Sequence, residues 1–205
     1  MACFTCPPEG LSYLCDRDKK LANLIQQVGP LSRPLQEDLF SALIHAIVGQ
    51  QISTKAQATV WQRLADKLGQ ITPSAIAAQS REGLQSIGLS FRKVDYIKAA
   101  AHAVLSGTLD ISALPALSDQ EVIDALVKLP GIGVWTAEML LLFSLGRIDV
   151  LSYGDLGIKK GIMRLYHHKD LPLSRFQRYQ KRYSPYGSVA SLYLWHIAGQ
   201  EDFNL

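Results

Sequence analysis

Hydrophobic positions recur at helical spacing along most of the chain. Leu39, Phe40, Leu43, Ile44, Ile47 and Val48 follow the i, i+3, i+4 interval that puts side chains on one face of an α-helix. Val60, Trp61, Leu64 and Leu68 repeat it and stop at Gly69, a residue that ends helices readily. A third run opens at Ser90, carries Val94, Ile97, Ala101, Val104 and Leu105, and closes at Gly107. Ser118-Asp119-Gln120-Glu121 has the form of a capping box, in which the serine hydroxyl and the glutamate satisfy open N–H groups at a helix start. The helix it opens carries Val122, Ile123, Leu126 and Val127. Ala137, Leu140, Leu141 and Phe143 mark another, running to Gly146, and Ser174-Arg175-Phe176-Gln177 is a second capping-box sequence. Val189, Leu192, Tyr193 and Ile197 form the last strong pattern, ending at Gly199.

Proline breaks fall at Gly29-Pro30, Thr72-Pro73, Leu114-Pro115, Leu171-Pro172 and Ser184-Pro185. No alternating run is long enough to build a sheet, and Ile148-Asp149-Val150-Leu151 is ambiguous. The expected fold class is all-α, with about ten helices at typical helix lengths, arranged as two helical lobes. With 48% apolar and 19% charged residues in 205, the chain has material for a core and is not disordered throughout. No apolar run approaches the roughly 20 residues of a membrane span, and the first residues lack the pattern of a signal peptide. The expectation is a soluble intracellular protein. Cys3, Cys6 and Cys15 are too few for a closed four-ligand zinc site, so they read as free thiols in a loose N-terminal arm.

The net charge of +3 is small, but its distribution is not even. Lys159, Lys160, Arg164, Lys169, Arg175, Arg178, Lys181 and Arg182 are opposed by Asp170 alone, and the rest of the chain is net negative. Such segregation suits a polyanion partner, or simply a solvated helix surface.

Two segments carry candidate chemistry. In Leu129-Pro130-Gly131-Ile132-Gly133-Val134-Trp135-Thr136-Ala137, proline stops one helix and two glycines allow a tight turn before the next. The open N–H groups of that second helix can seat a phosphate oxygen, although a plain helical hairpin accounts for the glycines equally well. In Asp149-Val150-Leu151-Ser152-Tyr153-Gly154-Asp155-Leu156-Gly157-Ile158-Lys159-Lys160, Asp155 precedes a candidate helix. By itself it reads as an N-cap.

Taken together, these segments resemble the helix-hairpin-helix base-excision DNA glycosylases, which carry a Gly/Pro-rich turn followed by a catalytic aspartate. Within that superfamily the chain is most similar to the 3-methyladenine DNA glycosylase II branch. Phe40-Ser41-Ala42-Leu43-Ile44-His45-Ala46-Ile47-Val48-Gly49-Gln50-Gln51-Ile52-Ser53 and Tyr186-Gly187-Ser188-Val189-Ala190-Ser191-Leu192-Tyr193-Leu194-Trp195 extend the likeness over about residues 35 to 200. The resemblance implies an N-terminal arm and first helix (1–34) packed on a glycosylase core (35–205), a cleft between two helical lobes, and no N-terminal β domain.

The implied activity is a base-excision repair hydrolase. It would flip alkylated purines out of double-stranded DNA, 3-methyladenine and as a second candidate 7-methylguanine, and hydrolyse the N-glycosidic bond. Asp155 would be the catalytic carboxylate, held in direction by the helix it precedes. Trp135, Met139, Trp195 and Tyr153 would line the base pocket, where an indole face favours a cationic purine; Trp195 and Met139 read equally as core side chains. Trp135 stands where lyase-competent relatives have a nucleophilic lysine, which implies a monofunctional enzyme using water. Gln51 would fill the gap left by the extruded base, or be a solvated helix end. Gly131, Gly133, Val134, Thr136, Lys159 and Lys160 would meet the DNA backbone. Main-chain carbonyls of Val127, Leu129 and Ile132 would hold a structural monovalent or divalent cation, with no other cofactor required. No cysteine follows Cys15, so the iron–sulfur cluster of some superfamily members has no ligands here. Gly187 departs from the family, whose members often have arginine there; Lys181 or Arg182 would compensate. His45 and His196 read as packing residues, and His167-His168 as an exposed or DNA-facing turn.

The resemblance further implies a monomer with no membrane partner, cytoplasmic and nucleoid-associated in a bacterium or nuclear in a eukaryote. Two other readings stay open: a non-catalytic helix-hairpin-helix DNA-binding module, and a glycosylase for a deaminated base.

Overall fold

The computed structural model describes residues 2–200. Among them the chain forms two three-residue strands and twelve α-helices, in the order β1 (Cys3–Thr5), α1 (Pro8–Arg17), α2 (Lys19–Val28), β2 (Ser32–Pro34), α3 (Leu39–Gly49), α4 (Thr54–Leu68), α5 (Pro73–Ala77), α6 (Arg81–Gln85) and α7 (Phe91–Leu105). A 3-10 turn at Leu114–Ala116 then leads to α8 (Asp119–Leu126), α9 (Val134–Phe143), α10 (Leu156–Tyr166), α11 (Leu173–Tyr183) and α12 (Gly187–Ala198). The fold is all-α apart from β1 and β2, which pair antiparallel with Phe4 opposite Arg33. No helix of the described residues is long and apolar enough to cross a membrane.

The chain divides into two compact units, one built from residues 36–140 and the other from residues 2–35 together with 141–200. In the 36–140 unit α3 is the central helix. Six of its eleven residues, Phe40, Ala42, Leu43, Ile44, Ile47 and Val48, are buried, and α4 and α7 pack against it. Lys93 of α7 reaches the C-terminal end of α3 and donates to the Val48 carbonyl at 2.7 Å, a cation on the negative end of a helix. Pro73 begins α5 rather than merely interrupting the chain, with Thr72 as its N-cap. Both α5 and α6 lie on α7.

In the other unit α12 is the axis. Nine of its residues from Gly187 to Ile197 are buried, each large apolar one contributing about 1.5–3 kcal/mol relative to exposure. It crosses α10 so closely that a side chain at Gly161 would overlap the Leu194 carbonyl. The N-terminal segment belongs here and is not a loose arm. Phe4, Cys6, Leu14, Leu21 and Leu24 are all buried in the core that α10, α11 and α12 share. Burial raises the Cys6 thiol above its usual range.

Asp18, at the junction of α1 and α2, ties this segment down. One carboxylate oxygen caps α2 through the N–H groups of Lys20 and Leu21, both at 3.1 Å. The other accepts from Tyr166 at 2.7 Å and from Arg182 at 2.6 Å. Tyr183 and Tyr166 hydroxyls meet at 2.5 Å. Burial, together with the nearby Asp18 charge, pushes both phenols well above the ordinary tyrosine range, so they remain neutral donors.

The second capping-box sequence is not used. α11 begins at Leu173 with Pro172 as its N-cap and no side-chain cap, which places Ser174 inside the first turn. The amides of Arg175 and Phe176 both bond the Pro172 carbonyl at 3.0 Å. At Ser118, by contrast, both halves of the box form. Ile148 to Leu151 is irregular backbone, not a strand.

Candidate functional site

Asp155 lies in the unit formed by residues 2–35 and 141–200, at the start of α10, and is only 7% exposed. Its Oδ1 accepts from the Ile158 amide at 2.8 Å, which is the N-cap bond, and from Trp195 Nε1 at 2.8 Å. A single carboxylate oxygen therefore takes both a backbone and an indole N–H, from residues three and forty positions away. The structure thus gives Asp155 the capping role that its sequence suggests. It also adds a long-range partner that no local pattern reveals.

Gly157 makes that partnership possible. A Cβ at this position would lie 2.7 Å from Trp195 Cδ1 and 3.1 Å from both Trp195 Nε1 and Asp155 Oδ1. The absent side chain is the slot into which the indole edge fits. Phe143 stacks on the same indole, with ring centroids 5.4 Å apart and planes at 25°. Trp195 is therefore packed and polar at once, with one face against a phenyl ring and its edge on a carboxylate. Tyr153 packs edge-on to Phe176 at 5.1 Å, and Lys159 Nζ lies 4.4 Å from the centre of the Tyr153 ring. Lys160 is exposed.

The irregular segment before Asp155 is held by α11 and α12. Ser188 Oγ donates to the Arg147 carbonyl at 2.6 Å and accepts from the Val150 amide at 2.9 Å. Ser191 Oγ donates to the Val150 carbonyl at 2.8 Å, and Gln180 donates to the Leu151 carbonyl at 2.9 Å. These residues, with Gly157, were not singled out from the sequence. The signal available was the pair Gly157 and Gly161, one helical turn apart and so on one face of α10, the pattern of a close approach.

In the 36–140 unit, the turn between α8 and α9 has two glycines with different reasons to exist. Gly131 has φ +81, and a side chain there would overlap the Tyr96 ring, so the fold itself demands glycine. Gly133 has no such constraint: nothing lies within 4 Å of where its Cβ would be. Its carbonyl accepts the first helical bond of α9, from the Ala137 amide at 3.1 Å. Val134 and Trp135 are 54% and 45% exposed, while Thr136 is buried at 5%; of the three, its side chain alone is withdrawn from the surface. Met139 is half-buried.

Gln51 takes a left-handed backbone, φ 57, uncommon for a residue with a side chain, and is exposed. Its neighbour Gln50 donates to the Gly131 carbonyl at 2.8 Å, joining the α3–α4 loop to the hairpin turn. Gln50, Gln51, Ser90, Arg92, Lys93, Tyr96 and Gly131 line one cavity of about 410 Å³. Of the carbonyl-bearing residues, Val127 is 37% exposed, and Leu129 and Ile132 are buried, at 7% and 6%. The Leu129 carbonyl accepts from the Ile132 amide at 3.2 Å.

The basic stretch is not one uniform surface. Arg164 bonds the Ile197 and Ala198 carbonyls at the end of α12, Arg175 pairs with Asp170 at 3.0 Å, and Arg182 with Asp18 at 2.6 Å. Arg182 is thus committed to the fold. Lys160, Lys169, Arg178 and Lys181 are exposed. His167 is exposed in the turn that ends α10, while His168 is half-buried, its Nε2 2.7 Å from the Tyr179 hydroxyl and its ring stacked on Tyr166. His45 packs edge-on to Trp61 at 4.7 Å, and Gln57 reaches its ring at 3.3 Å. His196 meets Gln200 at 2.7 Å.

Comparison with known proteins gives a consistent result. The pattern of the HhH-GPD superfamily, described as a base excision DNA repair protein, matches residues 44–184. The chain is 32% identical over 198 residues to DNA-3-methyladenine glycosylase 1 of Schizosaccharomyces pombe, covering 94% of this chain and 87% of that protein. Among solved structures it is similar to a DNA-3-methyladenine glycosidase from Bacillus halodurans, with a TM-score of 0.86, 36% identity, and 97% and 93% of the two chains covered. It is also similar to a Schizosaccharomyces pombe 3-methyladenine DNA glycosylase in complex with abasic DNA, with a TM-score of 0.85, 30% identity, and 96% and 100% covered.

Proposed function

The chain belongs to the HhH-GPD superfamily of base excision DNA repair proteins, and on that premise we propose that it removes alkylated purines, 3-methyladenine foremost, from duplex DNA. The observation that carries this reading is the carboxylate of Asp155. It is buried, fixed by two N–H donors on one oxygen, and sits at a helix start.

The chemistry follows from what such a group offers. The bond between C1′ and the purine nitrogen breaks, and its electron pair leaves with the base. An alkylated purine is positively charged while bonded to the sugar and leaves as a neutral base, so it needs little acid assistance. Positive charge then builds on the deoxyribose as an oxocarbenium-like centre, and a fixed carboxylate stabilises it electrostatically. Water adds its oxygen to C1′ and passes a proton to Asp155 or to solvent. The products are the free base and an abasic site. Trp135 at the start of α9 offers no amine to attack the sugar, which supports hydrolysis without lyase chemistry.

DNA is the partner on this reading. Gly133, whose missing side chain leaves open space, and the exposed Val134 at the start of α9 suit close approach of a phosphate to backbone N–H groups. The carbonyl oxygens of Val127, Leu129 and Ile132 are hard donors of the kind that hold alkali or alkaline-earth cations, and each carbonyl has two lone pairs. A cation there would supply positive charge for a phosphate. Gln51, held at the surface in its left-handed conformation, is the side chain for the gap left by an extruded base.

The test is release of bases from methylated duplex DNA, identified by chromatography, with Asp155→Asn as control. Asparagine can keep the oxygen that caps α10 and faces the indole, while it removes the charge and turns the other oxygen into an NH2 donor. We expect 3-methyladenine from the wild type, a loss of about 10²–10³-fold in the variant, and affinity for abasic DNA within about tenfold. Near-wild-type excision by the variant would overturn the assignment of Asp155, and no release by the wild type would overturn the activity.

A further inference from the structure

Gly187 opens α12, and the structure shows what lies against it. Asp149, exposed at the far end of the segment that leads to Asp155, takes the Gly187 amide on Oδ1 at 2.9 Å and the Ser184 hydroxyl on Oδ2 at 2.6 Å. It therefore seats a carboxylate on the first N–H group of α12, the favourable charge for a helix N-terminus. A Cβ at Gly187 would be 2.9 Å from that same Oδ1 and 3.3 Å from the backbone carbons of Asp149 and Val150. Glycine is thus what lets the two backbones close. Ser188, the next residue, and Ser191, one turn further along α12, grip residues 147 and 150, and two turns along lies Trp195, whose indole holds Asp155. Both ends of the segment 149–155 are therefore fastened to a single rigid helix.

We propose that Asp149 is a positioning residue: through Gly187 and Ser184 it sets the register of the 149–155 segment against α12, and so the placement of Asp155 against Trp195. This rests on Asp155 being the reacting carboxylate. Asp149 acts on the position of that group and touches no substrate atom.

Two variants break the fastening in different ways. Asp149→Ala removes both acceptors, whereas Gly187→Ala keeps every polar group and displaces the carboxylate. Asp149→Asn is the conservative rescue, because its Oδ1 still accepts from the Gly187 amide and its NH2 can donate to Ser184 Oγ. Single-turnover excision from methylated duplex DNA should slow about tenfold to a hundredfold in the first two, as expected for a reacting group moved by about an ångström. Affinity for abasic DNA should stay within about threefold, and Asp149→Asn should recover most of the rate. The second readout is the indole N–H resonance of Trp195 in a 1H–15N spectrum, which reports the bond to Asp155 without needing activity. It should move in Asp149→Ala and Gly187→Ala and return in Asp149→Asn, while the Trp61 resonance of the other unit stays in place. An unchanged rate, or a slowed rate with an unmoved Trp195 signal, would overturn the proposal. If the wild type excises nothing while the Trp195 signal still responds to Asp149→Ala, the positioning stands and the glycosylase reading falls.

Discussion

Replacing a helical glycine by alanine ordinarily stabilises a protein, by up to about 1 kcal/mol. Gly157→Ala should do the opposite. The new methyl would sit 2.7 Å from Trp195 Cδ1 and 3.1 Å from Asp155 Oδ1, and the indole is not a loose end that can swing clear. Phe143 stacks on it and its Nε1 is bonded to Asp155. Forcing a methyl into such packing costs about 1–3 kcal/mol. Weakening an N–H bond to a carboxylate adds about 1.5 kcal/mol. Against the helical gain this leaves a net loss of about 2 kcal/mol, which for a chain of this size lowers Tm by about 4–8 °C. Because the ring can move only by moving Asp155, excision should fall as well, by about a hundredfold for an ångström of displacement. Thermal unfolding by circular dichroism and single-turnover release of 3-methyladenine are the two assays. A variant that melts above the wild type and excises at the same rate would show that the indole slot does not govern the carboxylate.

Asp18→Ala should cost about 2–3 kcal/mol in urea unfolding, since it removes the cap of α2 and the carboxylate that Tyr166 and Arg182 share; a loss under 1 kcal/mol would count against the network as a fastening. The two hairpin glycines should separate. Gly131→Ala should lose about 2 kcal/mol or more of stability through its positive φ and the Tyr96 overlap. Gly133→Ala should lose about 1 kcal/mol or less and instead weaken binding to abasic duplex DNA, and equal behaviour of the two in both assays would refute the distinction. Burial lowers the His45 pKa. Its share of stability is therefore full above pH 6.5, the unfolded value, and is lost as pH falls from there toward the folded value, because the unfolded chain takes up the proton first. His45→Gln should flatten that part of the pH–stability curve, and an unchanged slope would place the dependence elsewhere.

What could be read from the chain and what could not divide along sequence distance. The helices α3, α4, α7 and α12 announce themselves through apolar spacing, and the Ser118 box through residues three apart, because their determinants are local. β1 and β2 are three residues each, too short to alternate, and exist because Cys3 meets Pro34. Asp18 looks like any surface acid until Tyr166 and Arg182 arrive from much later in the chain. Ser174 has the correct letters for a cap, but Pro172 fixes the helix start ahead of it. At the candidate site, Asp155 was visible as a helix-start carboxylate and its indole partner was not. Gly187 stands out in the sequence only as a departure from the family pattern, whereas in the fold it is the point at which Asp149 reaches the backbone of α12.

The division of the chain has a consequence for how it is made. Residues 36–140 are contiguous, so that unit has everything it needs once they have left the ribosome. The other unit needs residues 2–35 and 141–200 together, which leaves Leu14, Leu21 and Leu24 without their final neighbours until the whole of the 36–140 unit has been made. Contacts between such distant segments form slowly, and the apolar surface that waits for them is prone to aggregate. A nascent chain halted once residue 140 has emerged from the ribosome should therefore carry one finished unit behind a sticky first segment, and chaperone dependence should concentrate in that segment.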